Sequence, residues 1–131
     1  MIKSFNFWNL YLHDNQCYLG RLVVVHKNET PTDLFDLGQN ELQELYLIVN
    51  QSKRALKALF SPDRMNYASL GNVYPILHVH IIPRYKNPRV YGEICFTDKN
   101  WGKNYAPYDK EFRIPNHLLD QLKEDIRREL P

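Results

Sequence analysis

The chain has 131 residues, 44% of them hydrophobic and 24% charged, which excludes a disordered protein and fits one domain large enough to bury its own core. Seventeen basic against fifteen acidic residues leave a formal net charge of +2, with no case for the clustered basic face that duplex nucleic acid requires. No run approaches the roughly 18 apolar residues that span a bilayer, the start Met1-Ile2-Lys3-Ser4 turns polar too early for a secretory signal, and Cys17 and Cys95 are too few and too far apart for a disulfide framework, so a cytoplasmic protein with reduced thiols is expected.

Residues 5–13 are aromatic and apolar enough for a strand, and Asp14-Asn15-Gln16 reads as a turn. Tyr18 to His26 is the strongest strand signal. Its four consecutive apolar residues, Leu22 to Val25, predict burial on both faces and an antiparallel pair with the preceding strand. Thr30-Pro31-Thr32-Asp33 carries helix-start chemistry, with Thr30 as cap, Pro31 at the first position and Asp33 in the first turn. One short turn, Leu34 to Leu37, then closes at Gly38. A long helix is predicted from Asn40 to about Phe60, with Leu42, Leu45, Ile48, Val49, Ala55, Leu56 and Leu59 at helical spacing. Met65 to Ser69 reads as a short strand that breaks at Gly71-Asn72. The next segment, residues 74–84, alternates from 77 to 81: in a strand, Leu77, Val79 and Ile81 take one face, and Ile76, His78 and His80 the other. Residues 86–110, rich in Pro, Gly, Asn and Tyr, predict a long surface loop around one edge strand at Ile94-Cys95-Phe96. Pro115 to Leu130 predicts a final amphipathic helix. Strand pairs precede any crossover, so the expected class is α+β with an antiparallel sheet.

Two imidazoles on one strand face, about 7 Å apart by the strand rise, admit four readings. They can be incidental residues on a half-solvated strand. They can bind zinc, although a third ligand is needed and His13, His26 and His117 have no spacing relation to the pair. They can supply a nucleophile and its partner for phosphoryl chemistry, with the Gly71-Asn72-Val73 turn offering backbone N–H groups to the oxygens. They can also bind a nucleotide without turning it over. Arg84, just past the strand, reads equally as a phosphate clamp or a structural ion pair.

The segment LGNVYPILHVHIIPRY, residues 70–85, resembles the histidine triad (HIT) family of nucleotidyl hydrolases and transferases. The family pattern is His-φ-His-φ-His-φ-φ, with φ apolar, and His78-Val79-His80-Ile81-Ile82 matches its second and third histidines. LYLHDNQCYLGRLVVV at 10–25 looks like the family's nucleoside-binding hairpin. DLFDL at 33–37 and FTDKNWGKNYAPYDKEF at 96–112 resemble a microbial, diadenosine-polyphosphate-hydrolase-like branch. One departure stands out: the first histidine of the pattern is Ile76 here. Ile cannot hydrogen-bond, so His78 must be oriented from elsewhere, such as a backbone carbonyl.

The resemblance implies a HIT-like fold with about five antiparallel strands, one long helix and a C-terminal helix. It covers a single domain over residues 1–131, of which about 96–131 form a C-terminal extension. It implies that His78 attacks the α-phosphate of a nucleotide conjugate and that His80 contacts the phosphate or leaving group. Gly71, Asn72 and the upstream amide Asn66 are implied as further phosphate or leaving-group contacts. The ribose contact falls on His13, with Asp14 and Asn15 as rivals, and Tyr11 or Leu12 packs on the base. The implied activity is hydrolysis of an adenylyl or related conjugate, such as a dinucleoside polyphosphate, through a nucleotidyl-histidine intermediate. No metal is held by the protein, Mg²⁺ accompanies only a polyphosphate substrate, and a homodimer is expected. A nucleotide sensor with little turnover, reflecting Ile76, is the alternative. The segment from Asn100 to Tyr108, with Trp101, Lys103, Asn104 and Tyr105, either covers the site and selects the leaving group or packs on the sheet edge.

Overall fold

A computed structural model describes residues 1–131. Its main sheet is wholly antiparallel and contains five strands: β1 (Lys3–Ser4), β2 (Trp8–Leu12), β3 (Leu22–His26), β4 (Arg64–Ala68) and β5 (His78–Arg84), in the order β1-β2-β3-β5-β4. Helix α1 (Gln39–Phe60) carries the chain from β3 to the far edge, and α2 (Asn116–Glu129) closes it, giving the expected α+β architecture. No helix is long and apolar enough to cross a membrane.

The hairpin joining β2 to β3 is longer than its sequence predicts, because Tyr18 to Gly20 turns instead of extending. The buried Gln16 holds it: its side-chain amide donates to the carbonyls of His13 and Arg21 and accepts from Gly20 N–H. Nor is β3 buried on both faces. Leu22, Val24 and His26 are buried, whereas Val23 and Val25 are half-buried on the opposite side. A short 3₁₀ turn, Leu34–Asp36, is capped by Asp33, whose carboxylate accepts from Phe35 N–H at 2.9 Å; Thr30 takes no part.

Helix α1 starts where Glu41 reaches back to Gly38 N–H, and it ends at Ser61 in the left-handed conformation. Ile48, Ser52, Ala55, Leu56 and Phe60 face inward at helical spacing. Ile48, Leu56 and Phe60 join Trp8, Leu10, Leu22, Val24 and Ile81 of the sheet in one buried cluster. Leu42, predicted on that stripe, is exposed, as are Tyr46 and Leu47. Truncating a fully buried member such as Leu56 to Ala costs about 2–5 kcal/mol at such sites.

Ile76 and Leu77 precede β5 and do not belong to it. The region after β5 also departs from expectation. It holds two short strands, β6 (Arg89–Tyr91) and β7 (Ile94–Phe96), which pair with each other and not with the main sheet. Gly92 and Glu93, both at positive φ, supply the tight reversal that such a hairpin needs. From α2, Leu118, Leu122 and Ile126 complete the core, while Arg127 Nε binds the carbonyl of Ile2 and ties the two ends of the chain together.

Candidate functional site

Both helices supply residues to the buried cluster on one face of the sheet, and register dictates the composition of the other. Tyr11, Val23, His80 and Ala68 form one row across β2, β3, β5 and β4; Asn9, Val25 and His78 form the next. Alternation therefore delivers both histidines to a half-buried surface floored by Val23 and Val25. The rings of His78 and His80 meet edge to face with centroids 5.0 Å apart, and His13, at the end of β2, brings a third ring to 5.7 Å from His80.

Their hydrogen bonds assign the protons. His78 Nδ1 lies 2.7 Å from the carbonyl oxygen of Ile76. A carbonyl only accepts, so Nδ1 carries the hydrogen and the neutral ring holds its lone pair at Nε2. His80 has the opposite tautomer. Its Nδ1 faces Arg21 Nη2 at 3.4 Å, a long contact in which only the guanidinium can donate, so the His80 hydrogen sits on Nε2. His13 Nδ1 accepts from Asn15 N–H at 3.0 Å and likewise keeps its hydrogen on Nε2. The group thus offers one lone pair, on His78, and two N–H donors. Burial first, then the nearby Arg21 cation, lowers both His13 and His80 from 6.5 to about 4, so both are neutral at pH 7.

Sequence reasoning missed Arg21. It is 2% exposed, no carboxylate pairs with it, and its Nε and Nη1 have no partner. Tyr108 covers the guanidinium at 4.7 Å and Tyr105 at 5.9 Å. The signal was available: Leu22 faces the core, so the residue before it faces the histidines. Tyr74, whose ring meets His78 edge to face with centroids 5.6 Å apart, was also overlooked.

Arg84 is a structural hub. Its guanidinium is buried, binds both oxygens of the buried Asp98, and donates to Asn66 Oδ1 and to the carbonyls of Asn100 and Lys103. These bonds draw the segment after β7 over the end of the sheet, where Asn100 also bridges Tyr18 Oη to the carbonyls of Tyr105 and Pro107. The segment therefore packs on the histidine face, with its aromatic rings against Arg21.

The remaining sequence-predicted residues fall at several places. Gly71 shares a cavity of about 240 Å³ with His78, Asp33, Phe35 and Ser69; Asn72 is exposed and does not line it. Asn66 is the diagonal neighbour of His80 across β4 and β5. Tyr11 is half-buried in the His80 row and borders a separate cavity of about 390 Å³ with Leu12 and Asp14. Asn15 does not open to the cleft. It is buried, its side-chain Oδ1 accepts from Cys17 N–H, and its Nδ2 donates to Asp109 O, so its side chain joins the hairpin to the C-terminal segment. No three or more His, Cys, Asp or Glu side chains converge as metal ligands do.

The HIT-domain family model matches residues 9–87. The chain is 32% identical over 123 residues to the bis(5'-nucleosyl)-tetraphosphatase (asymmetrical) of Schizosaccharomyces pombe, an alignment covering 83% of this chain and 67% of that one. It is 30% identical over 104 residues to a bis(5'-adenosyl)-triphosphatase of Saccharomyces cerevisiae, covering 76% of this chain and only half of the yeast enzyme. Crystal structures of histidine triad proteins from Bradyrhizobium japonicum and Sinorhizobium meliloti share the fold, with TM-scores of 0.81 and 0.82 at 22% and 21% identity. Those alignments cover 99% and 98% of this chain, and 89% and 87% of the two structures.

Proposed function

The chain belongs to the HIT-domain family, and from that premise we propose that it hydrolyses nucleotidyl conjugates at the α-phosphate, with His78 as nucleophile. The observation that carries this reading is the bond from His78 Nδ1 to the Ile76 carbonyl, which leaves Nε2 with a lone pair on the cleft face. In the first step Nε2 attacks phosphorus, a P–N bond forms, and the P–O bond to the leaving phosphate breaks with its electron pair. Positive charge grows on the ring as this happens, and the Ile76 carbonyl stabilises it. His80 Nε2–H donates to the oxygen on which negative charge develops. Water then opens the phosphoramidate, releasing a nucleoside monophosphate and restoring the His78 lone pair.

Backbone N–H groups around Gly71 and Asn72 suit the non-bridging oxygens. His13 Nε2–H suits a ribose hydroxyl, a role that Asn15, with both ends of its amide engaged, leaves to it or to the exposed Asp14. Tyr11 suits the base. The names of the yeast relatives favour a dinucleoside polyphosphate with adenine as substrate. In this reading no metal is held by the protein, and Mg²⁺ arrives with the polyphosphate. The exposed Tyr46 and Leu47 of α1, and Tyr67 on the unpaired edge of β4, fit a second copy of the chain.

His78→Ala should cut release of nucleoside monophosphate from a dinucleoside polyphosphate by at least about 10³-fold while binding largely persists. Full residual activity would overturn the mechanism. Tight binding by the wild-type protein with no product would favour the sensor that Ile76 suggests.

A further inference from the structure

Beyond His80, the same face of the sheet leads into a second cavity of about 380 Å³, bounded by Arg64, Asn66, Arg84, Trp101 and Lys103. Resting on the reading of His78 above, we propose that this cavity is the subsite for the outgoing half of the substrate: Arg64 and Lys103 bind its distal phosphates, and Trp101 its second base.

Four observations lead there. The first is position. His80, Ile82 and Arg84 follow one another along one face of β5, and Asn66 and Arg64 pair with Ile82 and Arg84. Arg84 therefore lies about 13 Å beyond His80 by strand rise, with Arg64 one inter-strand step of about 5 Å to its side, a span that a short polyphosphate and the reach of the Arg64 side chain cover together. The second is charge. Arg84 is consumed by Asp98, but Arg64 and Lys103 are exposed and pair with no carboxylate, and no acidic residue lines the cavity. Cations left unpaired in a concave site attract an anion of matching length.

The third is the set of the Asn66 amide. Its Oδ1 accepts from Arg84 Nη1 at 2.8 Å, which fixes the orientation of the amide and leaves its NH₂ group as the free end. A donor is thus held diagonally beside His80, where the departing phosphate begins. The fourth is preorganisation. Arg84 binds the carbonyls of Asn100 and Lys103, Lys103 N–H returns to Asn100 O, and Trp101 N–H binds Asp98 O, so the turn that carries Trp101 and Lys103 is held before any ligand arrives. A half-buried indole beside two cations suits a base at the end of a phosphate chain.

The test compares three substrates on the full chain: a dinucleoside tetraphosphate, a nucleoside 5'-tetraphosphate with the same phosphates but one base, and a nucleoside phosphoramidate whose leaving amine carries no phosphate. The double variant Arg64→Gln/Lys103→Gln should lose about 10- to 100-fold in kcat/KM on both polyphosphates and stay within about twofold on the phosphoramidate. Trp101→Ala should lose about 5- to 10-fold on the two-base substrate alone. Equal losses on the phosphoramidate, or none on the polyphosphates, would overturn the subsite. If the wild-type protein cleaves none of the three, the reading of His78 fails instead, and calorimetric titration with inorganic tripolyphosphate decides the subsite separately. Weaker binding by the double variant would then support it, and unchanged binding would overturn it. Arg64 and Lys103 are exposed, so thermal unfolding of the double variant should match wild type.

Discussion

Replacing Arg21 with Met removes a buried cation but keeps most of its volume and its cover over the histidines. His80 sits at about 4 in place of 6.5, through burial first, Arg21 second, and His78 and His13 after that; His13 sits equally low, with burial first and Arg21 second. Burial survives the substitution, so the larger share of each depression stays, and each pKa should climb by about one pH unit without regaining 6.5. The tautomer should respond as well. Without the Arg21 donor nothing holds the His80 hydrogen on Nε2, whereas His13, fixed by Asn15 N–H, should keep its own. Long-range ¹H–¹⁵N correlation spectra of the imidazoles, recorded from pH 7 to 3.5, report both quantities. Unchanged pKa values together with an unchanged His80 tautomer in the Arg21→Met protein would mean that Arg21 sets neither property.

The same substitution has a consequence for stability. In the unfolded chain His13 and His80 bind protons near 6.5, and in the folded chain only near 4. As pH falls between those values the unfolded state binds more protons, so the stability these residues contribute is complete above about 6.5 and is lost progressively down to about 4. Arg21→Met raises the lower bound and should shrink that loss, measured by urea unfolding at pH 7 and pH 4.5. At pH 7 the variant should be at least as stable as wild type, because it removes a buried charge with two unpartnered nitrogens.

Two further substitutions test how the site is supported. Asp98→Ala leaves the Arg84 guanidinium buried without its bidentate partner and should cost about 3–5 kcal/mol in denaturant unfolding; a loss under about 1 kcal/mol would remove Arg84 from its place as the hub. Gly20 has φ +85°, and a Cβ there would lie 2.6 Å from Leu56 Cδ2. Gly20→Ala should therefore destabilise by about 1–3 kcal/mol, and a neutral result would mean that the hairpin yields more readily than its packing implies.

Local pattern made the floor of the cleft legible, and long-range contacts hid its walls. Alternation along β5 was enough to place His78 and His80 on one face, because strand geometry needs no partner to assign sides. The same rule applied one residue upstream of Leu22, inside the predicted strand, would have placed Arg21 among the histidines, but no local pattern shows that a cation there is buried with no carboxylate beside it. The start of β3 was misread because Gln16, four residues before Gly20, binds across the turn through its side chain, and no propensity encodes that. Arg84 stood undecided between substrate and scaffold until its partner was known. Asp98 lies fourteen residues later in a loop, and nothing local to either residue links the two.

Ile76 shows the limit of reading a motif by its side chains. A polar side chain two residues before His78 suggests an orienting group, and an isoleucine there suggests its loss. Yet the group that orients His78 is the main-chain carbonyl of Ile76, and every residue type has one. Because Ile76 lies before β5 begins, that carbonyl is not committed to the ladder with a neighbouring strand and is free to turn toward the ring. What isoleucine forfeits is a second polar group behind the imidazole, not the acceptor that sets its tautomer.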